Sequence, residues 1–157
     1  WYPVEEIIGS VLTRQHKYLQ TRSVKVLMPS GIPMLYVDAV MIEQVLINLV
    51  ENAIRYTPQN SGLEITVDIS MQTARISVAD HGKGIPEGLE EKLFEKFYQT
   101  RNEAAQSGVG LGLAICRAIV EAHGGHISAS NRREGGAIFE MVLPLDRTPP
   151  VLILEDE

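Results

Sequence analysis

The sequence predicts a two-layer α/β sandwich: a β-sheet with helices covering one of its faces. Three observations predict it. Residues 63–70 and 75–80 alternate apolar and polar side chains with period two, the signature of strands with one buried and one wetted face. Segments with apolar residues at helical spacing are interleaved with those strands, so helices are available to cover the buried face. The chain has 157 residues and is 45 % hydrophobic and 22 % charged. That is enough apolar surface for one globular domain with a proper core, without disulfides or metals.

In chain order, residues 4–20 place Val4, Ile7, Ile8, Val11, Leu12 and Leu19 at helical spacing, with Pro3 near the start, and predict one helix. Residues 24–28 read as a strand, Pro29-Ser30-Gly31 as a turn, and residues 32–37 as a second short extended piece. Asp38 is placed to cap a long helix through Tyr56, stopped by Thr57-Pro58. Residues 126–131 and 136–143 give two further strands, the first weakly patterned. A last helix is expected from about Leu111 to Ala122, stopped by Gly124-Gly125.

Charge and cysteine content narrow the function classes. A net charge of −6 argues against a nucleic-acid partner, and it means that phosphates must be held by local donors. Cys116 is the only cysteine, so no disulfide can form within the chain, and a free thiol fits a reducing compartment. No apolar run is long enough to span a membrane, and a start at Trp1 without methionine suggests a piece of a longer protein.

Three features could carry chemistry. On the long helix, Asn48, Asn52, Arg55 and Tyr56 stand at i, i+4, i+7 and i+8 and share one face, opposite Ile42, Leu46, Leu49, Val50 and Ala53. That is either a solvated polar stripe or a site. Amide oxygens are hard ligands suited to Mg²⁺ beside phosphates, and a guanidinium one turn on can grip a phosphate. Asp80 continues the inward face of its strand after Ile76 and Val78, where a carboxylate needs donors. Gly82 and Gly84 follow, so Asp80 either fixes its own turn or recognises an adenine amino group that the glycines let approach. Third, Gly108, Gly110 and Gly112 alternate up to the start of a helix. This is either a flexible loop with a cap or a phosphate site of free N–H groups at a helix N-terminus. It is neither the dinucleotide G-x-G-x-x-G nor a P-loop.

The order of these features resembles the ATP-binding catalytic domain of bacterial two-component sensor histidine kinases, the GHKL or Bergerat type. Residues 48–57 (Asn-Leu-Val-Glu-Asn-Ala-Ile-Arg-Tyr-Thr) look like the N box, Asp80-His-Gly-Lys-Gly84 like the G1 box, Leu93-Phe-Glu-Lys-Phe-Tyr98 like the F box, and Gly108-Val-Gly-Leu-Gly-Leu113 like the G2 box. The segment from Asp38 to Asn48 is similar to potassium-responsive sensor kinases of the Kdp type. The resemblance implies a mixed, mostly antiparallel sheet over residues 1–146, with an ATP lid at about 86–110 anchored by Phe94 and Phe97. It implies ATP and Mg²⁺ as ligands. Asn52 would hold the metal, Asn48 would support metal and phosphates, and Arg55 would bind phosphate. Tyr56 would lie near adenine or ribose, and Asp80 would accept from the adenine amino group, with Gly82, Gly84, Ile85 and Phe139 around the base. Gly108, Gly110, Leu111, Gly112 and Leu113 would close on the triphosphate. Two positions depart from the family pattern. Gln99 stands where an Arg is frequent, which leaves Arg101 as the candidate for the γ-phosphate, and Ala137 replaces a frequent Thr.

The resemblance also bears on the reaction. ATPases of this fold carry a Glu four residues before the metal-binding Asn, and here that position is Asn48, whose neutral amide cannot act as a base. Phosphoryl transfer to an external histidine is therefore preferred over hydrolysis, with an ATPase, an anti-sigma-type serine kinase or a non-catalytic nucleotide-binding module as alternatives. His16, His81, His123 and His126 lack the phosphoacceptor context and read as surface or turn residues. The acceptor is expected on a separate dimerisation domain, in a dimeric, membrane-anchored parent with this part in the cytoplasm and a response regulator as partner. Residues 147–157 read as an acidic tail or as the start of a receiver domain.

Overall fold

A computed structural model describes residues 1–31, 34–70, 72–95 and 112–145. Among these, strands β2 (Val24–Leu27), β4 (Leu63–Ile69), β5 (Thr73–Ala79), β6 (His126–Asn131) and β7 (Ala137–Pro144) form one sheet in the order β2-β4-β5-β7-β6. β2 runs parallel to β4, and every other neighbouring pair is antiparallel. The sheet is mixed and mostly antiparallel, as expected. β2 and β6 are its edges.

Alternation puts Leu63, Ile65 and Val67 of β4, Ala74, Ile76 and Val78 of β5, and Phe139, Met141 and Leu143 of β7 into the core. The helices α1 (Val4–Arg14), α3 (Ala39–Arg55) and α4 (Gly112–Ala122) supply the facing layer through Val4, Val11, Ile42, Leu46, Leu49 and Cys116, among others. The opposite face of the sheet carries mostly polar side chains, although Val142 of β7 is buried there; Arg75 and Glu140 pair across it at 2.9 Å.

Asp38 caps α3 as its position predicts, its carboxylate accepting from the Met41 amide at 3.2 Å. Such a cap stabilises a helix by about 1 kcal/mol. The expected helix over 4–20 is broken at Gln15 into α1 and the short α2 (His16–Leu19). The bend turns the buried Gln15 side chain onto Glu51 of α3 while Leu19 stays in the core. Of the extended piece expected over 32–37, the described residues 34–37 hold one short strand, Met34–Leu35 (β3). It pairs with β1 (Tyr2–Pro3) in a separate two-stranded ribbon that is too short to leave a periodic signal. The final helix starts at Gly112, and residues 96–111 and 146–157, including Phe97, Gln99 and the tail, lie outside the described residues.

Candidate functional site

The polar face of α3 stands between two other elements. Near its middle, Asn48 Nδ2 donates to the Gly112 carbonyl at the first residue of α4, at 3.4 Å, and Gln44 Nε2 donates to Asn48 Oδ1 at 3.3 Å. At its C-terminal end the Asp80 turn closes on the helix. A Cβ on Gly82 would sit 2.9 Å from the Tyr56 carbonyl oxygen and 3.0 Å from the Thr57 methyl, so only glycine lets the turn come so near. Asn52, half-buried, and Arg55, exposed, lie between these two ends. Among the described residues no ion pair engages Arg55, and no hydrogen bond engages the Asn52 side chain.

Asp80 is only 6 % exposed. Its backbone N–H donates to the Ala137 carbonyl at 2.9 Å, and its Oδ1 accepts from the amides of Gly82 at 2.9 Å and Ala137 at 3.0 Å. Two amide donors make the buried carboxylate tolerable. Both fall on Oδ1; among the described residues no hydrogen bond falls on Oδ2. Asp80 thus fixes its own turn and still keeps an acceptor.

Several residues that motif reading passed over hold this turn. Asn131 clamps Ile85, accepting from its N–H at 2.6 Å and donating to its carbonyl at 2.9 Å. Gly84, at φ +82, lies so close that a Cβ would meet Asn131 Oδ1 at 2.5 Å. Arg132 donates to the Asp80 carbonyl at 3.2 Å and to His81 Nδ1 at 2.9 Å, and pairs with Glu64 at 3.1 Å. Gly136, at φ +95, packs directly on the Asp80 carbonyl oxygen. The glycine doublet at 135–136 was a visible signal of close backbone approach, whereas nothing local marked Asn131 or Arg132.

The remaining expected residues fall in place unevenly. Leu113 is half-buried on the first turn of α4. Ile85 and Phe139 are buried, and Phe139 meets Phe94 edge to face at 6.2 Å, a core contact behind the Asp80 turn. Arg101, Gly108, Gly110 and Leu111 lie outside the described residues. His16, His81 and His126 are exposed as expected; His123 lies in the turn that ends α4, but it is not at the surface, being 4 % exposed and bonded through both ring nitrogens.

Among the described residues no group of three or more His, Cys, Asp or Glu side chains could cage a metal ion. The donors present are neutral amide oxygens on one helix face. That set fits Mg²⁺ in its usual role, held by one or two protein oxygens with phosphates and water completing the shell.

The sequence profile of the histidine kinase-, DNA gyrase B- and HSP90-like ATPases matches residues 37–147, most of the chain and all of the site just described. The chain belongs to this family. Within it, this domain is of the histidine kinase type. It is 41 % identical over 149 residues to the sensor protein KdpD of Escherichia coli (strain K12), covering 95 % of this chain and 17 % of that protein. The catalytic domain of the histidine kinase ThkA superposes with a TM-score of 0.82 at 33 % identity, covering 96 % of this chain and 97 % of that one. A second ThkA structure, a complex with the response regulator protein TrrA, gives 0.79 at 33 % identity over 92 % of this chain and 41 % of that one. The chain therefore spans about a sixth of the length of its KdpD relative. It is an ATP-binding, histidine-kinase-type catalytic domain, and among the described residues no helix is long and apolar enough to cross a membrane.

Proposed function

We propose that this domain binds magnesium–ATP across the polar face of α3 and transfers the γ-phosphoryl group to a histidine on a separate dimerisation domain. The observation that carries the reading is the bracketing of that face: the buried Asp80 turn closes one end against Tyr56, and the first residue of α4 meets Asn48 near the middle. A purine against Asp80 Oδ2 and phosphates towards α4 span the interval in which Asn52 and Arg55 stand. Asn52 is the metal ligand in this reading, with Asn48 beside it, and Arg55 faces phosphate. The ion, when bound, neutralises phosphate charge. The chain's own residues orient the nucleotide so that its terminal phosphorus stays open to an incoming imidazole, a reaction that rests on positioning and electrostatics. A P–N bond forms, the bond to the β-phosphate oxygen breaks, and ADP leaves.

Transfer is favoured over hydrolysis because, among the described residues, no carboxylate stands on the polar face of α3 to act as a base. Asn48 occupies the position that a hydrolytic carboxylate would need, and its amide is bonded to Gln44 and Gly112. The adjacent Glu51 is turned towards Gln15 at the end of α1, at 3.3 Å. The partners follow from this reading: a dimerisation domain bearing the acceptor histidine, a response regulator downstream, and a dimeric, membrane-anchored parent. Calorimetric titration with a non-hydrolysable ATP analogue, with and without Mg²⁺, tests the site. Incubation with ATP and a separate phosphoacceptor domain should then yield an acid-labile phosphate on that domain. Steady ATP hydrolysis without transfer would assign the domain to the ATPases, and failure to bind nucleotide would remove the reading altogether.

A further inference from the structure

His123 occupies the C-cap of α4. The Gly124 amide returns to the Glu121 carbonyl at 2.9 Å and the Gly125 amide to the Val120 carbonyl at 3.0 Å, with Gly124 at φ +80. This six-residue closure ends the helix and turns the His123 ring inward. Its Nδ1 lies 2.9 Å from the Ile119 carbonyl, so Nδ1 carries the proton and donates. Its Nε2 is then an acceptor, and it receives the Asp38 backbone N–H at 3.2 Å. Asp38 is the N-cap of α3. In a reciprocal capping box a Glu or Gln three residues on would accept that amide, but here the position is Met41, which has no oxygen to offer. An imidazole from another helix takes its place.

Two more polar contacts cross between the same helices. Cys116 Sγ donates to the Val45 carbonyl at 3.7 Å, and Asn48 Nδ2 donates to the Gly112 carbonyl at 3.4 Å. The three pairs run in opposite order along the two helices, so α3 and α4 are antiparallel, fastened at 38–123, 45–116 and 48–112. Eleven residues at 1.5 Å each make α4 a rod of about 16 Å. A rod held at its far end cannot slide along its axis at the near end.

We propose that His123 is a positioning residue of the nucleotide site: by pinning the end of α4 to the first turn of α3, it sets where the N-terminal turn of α4 stands relative to Asn48. This rests on the proposed function, in which phosphates lie at that turn. His123 touches neither substrate nor metal; it acts through the helix.

The test compares His123→Ala, His123→Asn and His123→Gln, each titrated well below its unfolding temperature with a magnesium–ATP analogue by calorimetry and with adenosine by NMR. Gln can present an acceptor at the reach of Nε2, whereas Asn is too short to meet Asp38. The analogue should bind about tenfold more weakly to the Ala and Asn variants, a loss on the scale of one hydrogen bond, and His123→Gln should recover most of it. Adenosine, which carries no phosphate, should bind all of them equally. Loss of adenosine affinity in parallel would mean general loosening and would overturn the role, as would analogue affinity unchanged in His123→Ala. If the Ala variant does not fold, the Asn–Gln difference decides. A wild-type chain that binds no magnesium–nucleotide overturns the proposed function itself, a result distinct from either of these.

Discussion

Adjacent glycines at 135 and 136 offer a matched pair of substitutions that measures how tightly β7 holds the Asp80 turn. Both have positive φ, +102 and +95, so alanine at either position pays a similar backbone strain, about 1–2 kcal/mol. They differ in surroundings. A Cβ on Gly135 meets nothing within 4 Å, whereas one on Gly136 collides with the Asp80 carbonyl oxygen and lies 2.7 Å from its carbon and 3.0 Å from His81 Cα. None of these atoms is the end of a flexible side chain, so β7 and the turn must separate. Separation breaks the Asp80 N–H to Ala137 carbonyl bond and the Ala137 N–H to Asp80 Oδ1 bond. The first contributes about 1 kcal/mol and the second, to a carboxylate, about 1.5–3 kcal/mol. Gly136→Ala should therefore destabilise the domain by about 2.5–4 kcal/mol more than Gly135→Ala, and melt roughly 10 °C below it. Urea denaturation of both variants reads the difference directly. Midpoints that convert to stabilities within about 0.5 kcal/mol of each other would refute the reasoning, because β7 would then not be clamped on the turn.

Asn52→Ala should leave the fold intact and remove most of the magnesium dependence of nucleotide binding, at least tenfold by titration with and without the ion; an undiminished magnesium effect would take Asn52 out of the metal site. Asp80→Asn keeps an Oδ1 able to accept from Gly82 and Ala137, so the turn should survive. Adenine affinity should fall about 10- to 100-fold for loss of a charged acceptor, and equal affinity would exclude Asp80 from base recognition. Burial pushes the Cys116 thiol up from 9.0 to about 12. Because the folded value is the higher one, the thiol's contribution to stability is complete below pH 9 and is lost progressively between pH 9 and 12, where only the unfolded chain ionises freely. At pH 8.5 a thiol reagent should therefore label Cys116 only as fast as the domain opens; labelling at the rate of a free thiol would contradict its burial.

The parts of the site legible in the sequence are those whose geometry is local. Asn48, Asn52 and Arg55 share a helix face because 3.6 residues make a turn, and Asp80 faces inward because strand parity put it there after Ile76 and Val78. Asp38 was readable as a cap for the same reason. The contacts that hold these residues in place are remote: Asn131 reaches Ile85 across 46 positions, and His123 reaches Asp38 across 85. Neither carries a periodic mark, and a histidine before a glycine pair looks like any helix end until the opposite helix is in view. The break at Gln15 was hidden for a related reason, since Leu19 keeps helical spacing with Leu12 on either side of the bend.

The parallel pairing of β2 with β4 makes α3 the crossover between neighbouring strands, and this bears on how the domain folds. Val24 meets Leu63 only after a loop of about 40 residues has closed, an entropic cost of about 3 kcal/mol before any ladder bond forms. The helix carrying the asparagines travels inside that loop. Edge strand and the asparagine-bearing face of α3 must then assemble in one slow, non-local event. Core substitutions beneath α3, at the fully buried Ile42 or Leu49, should slow refolding as well as lower stability, and under the proposed function a chain caught before that step has no place for a nucleotide.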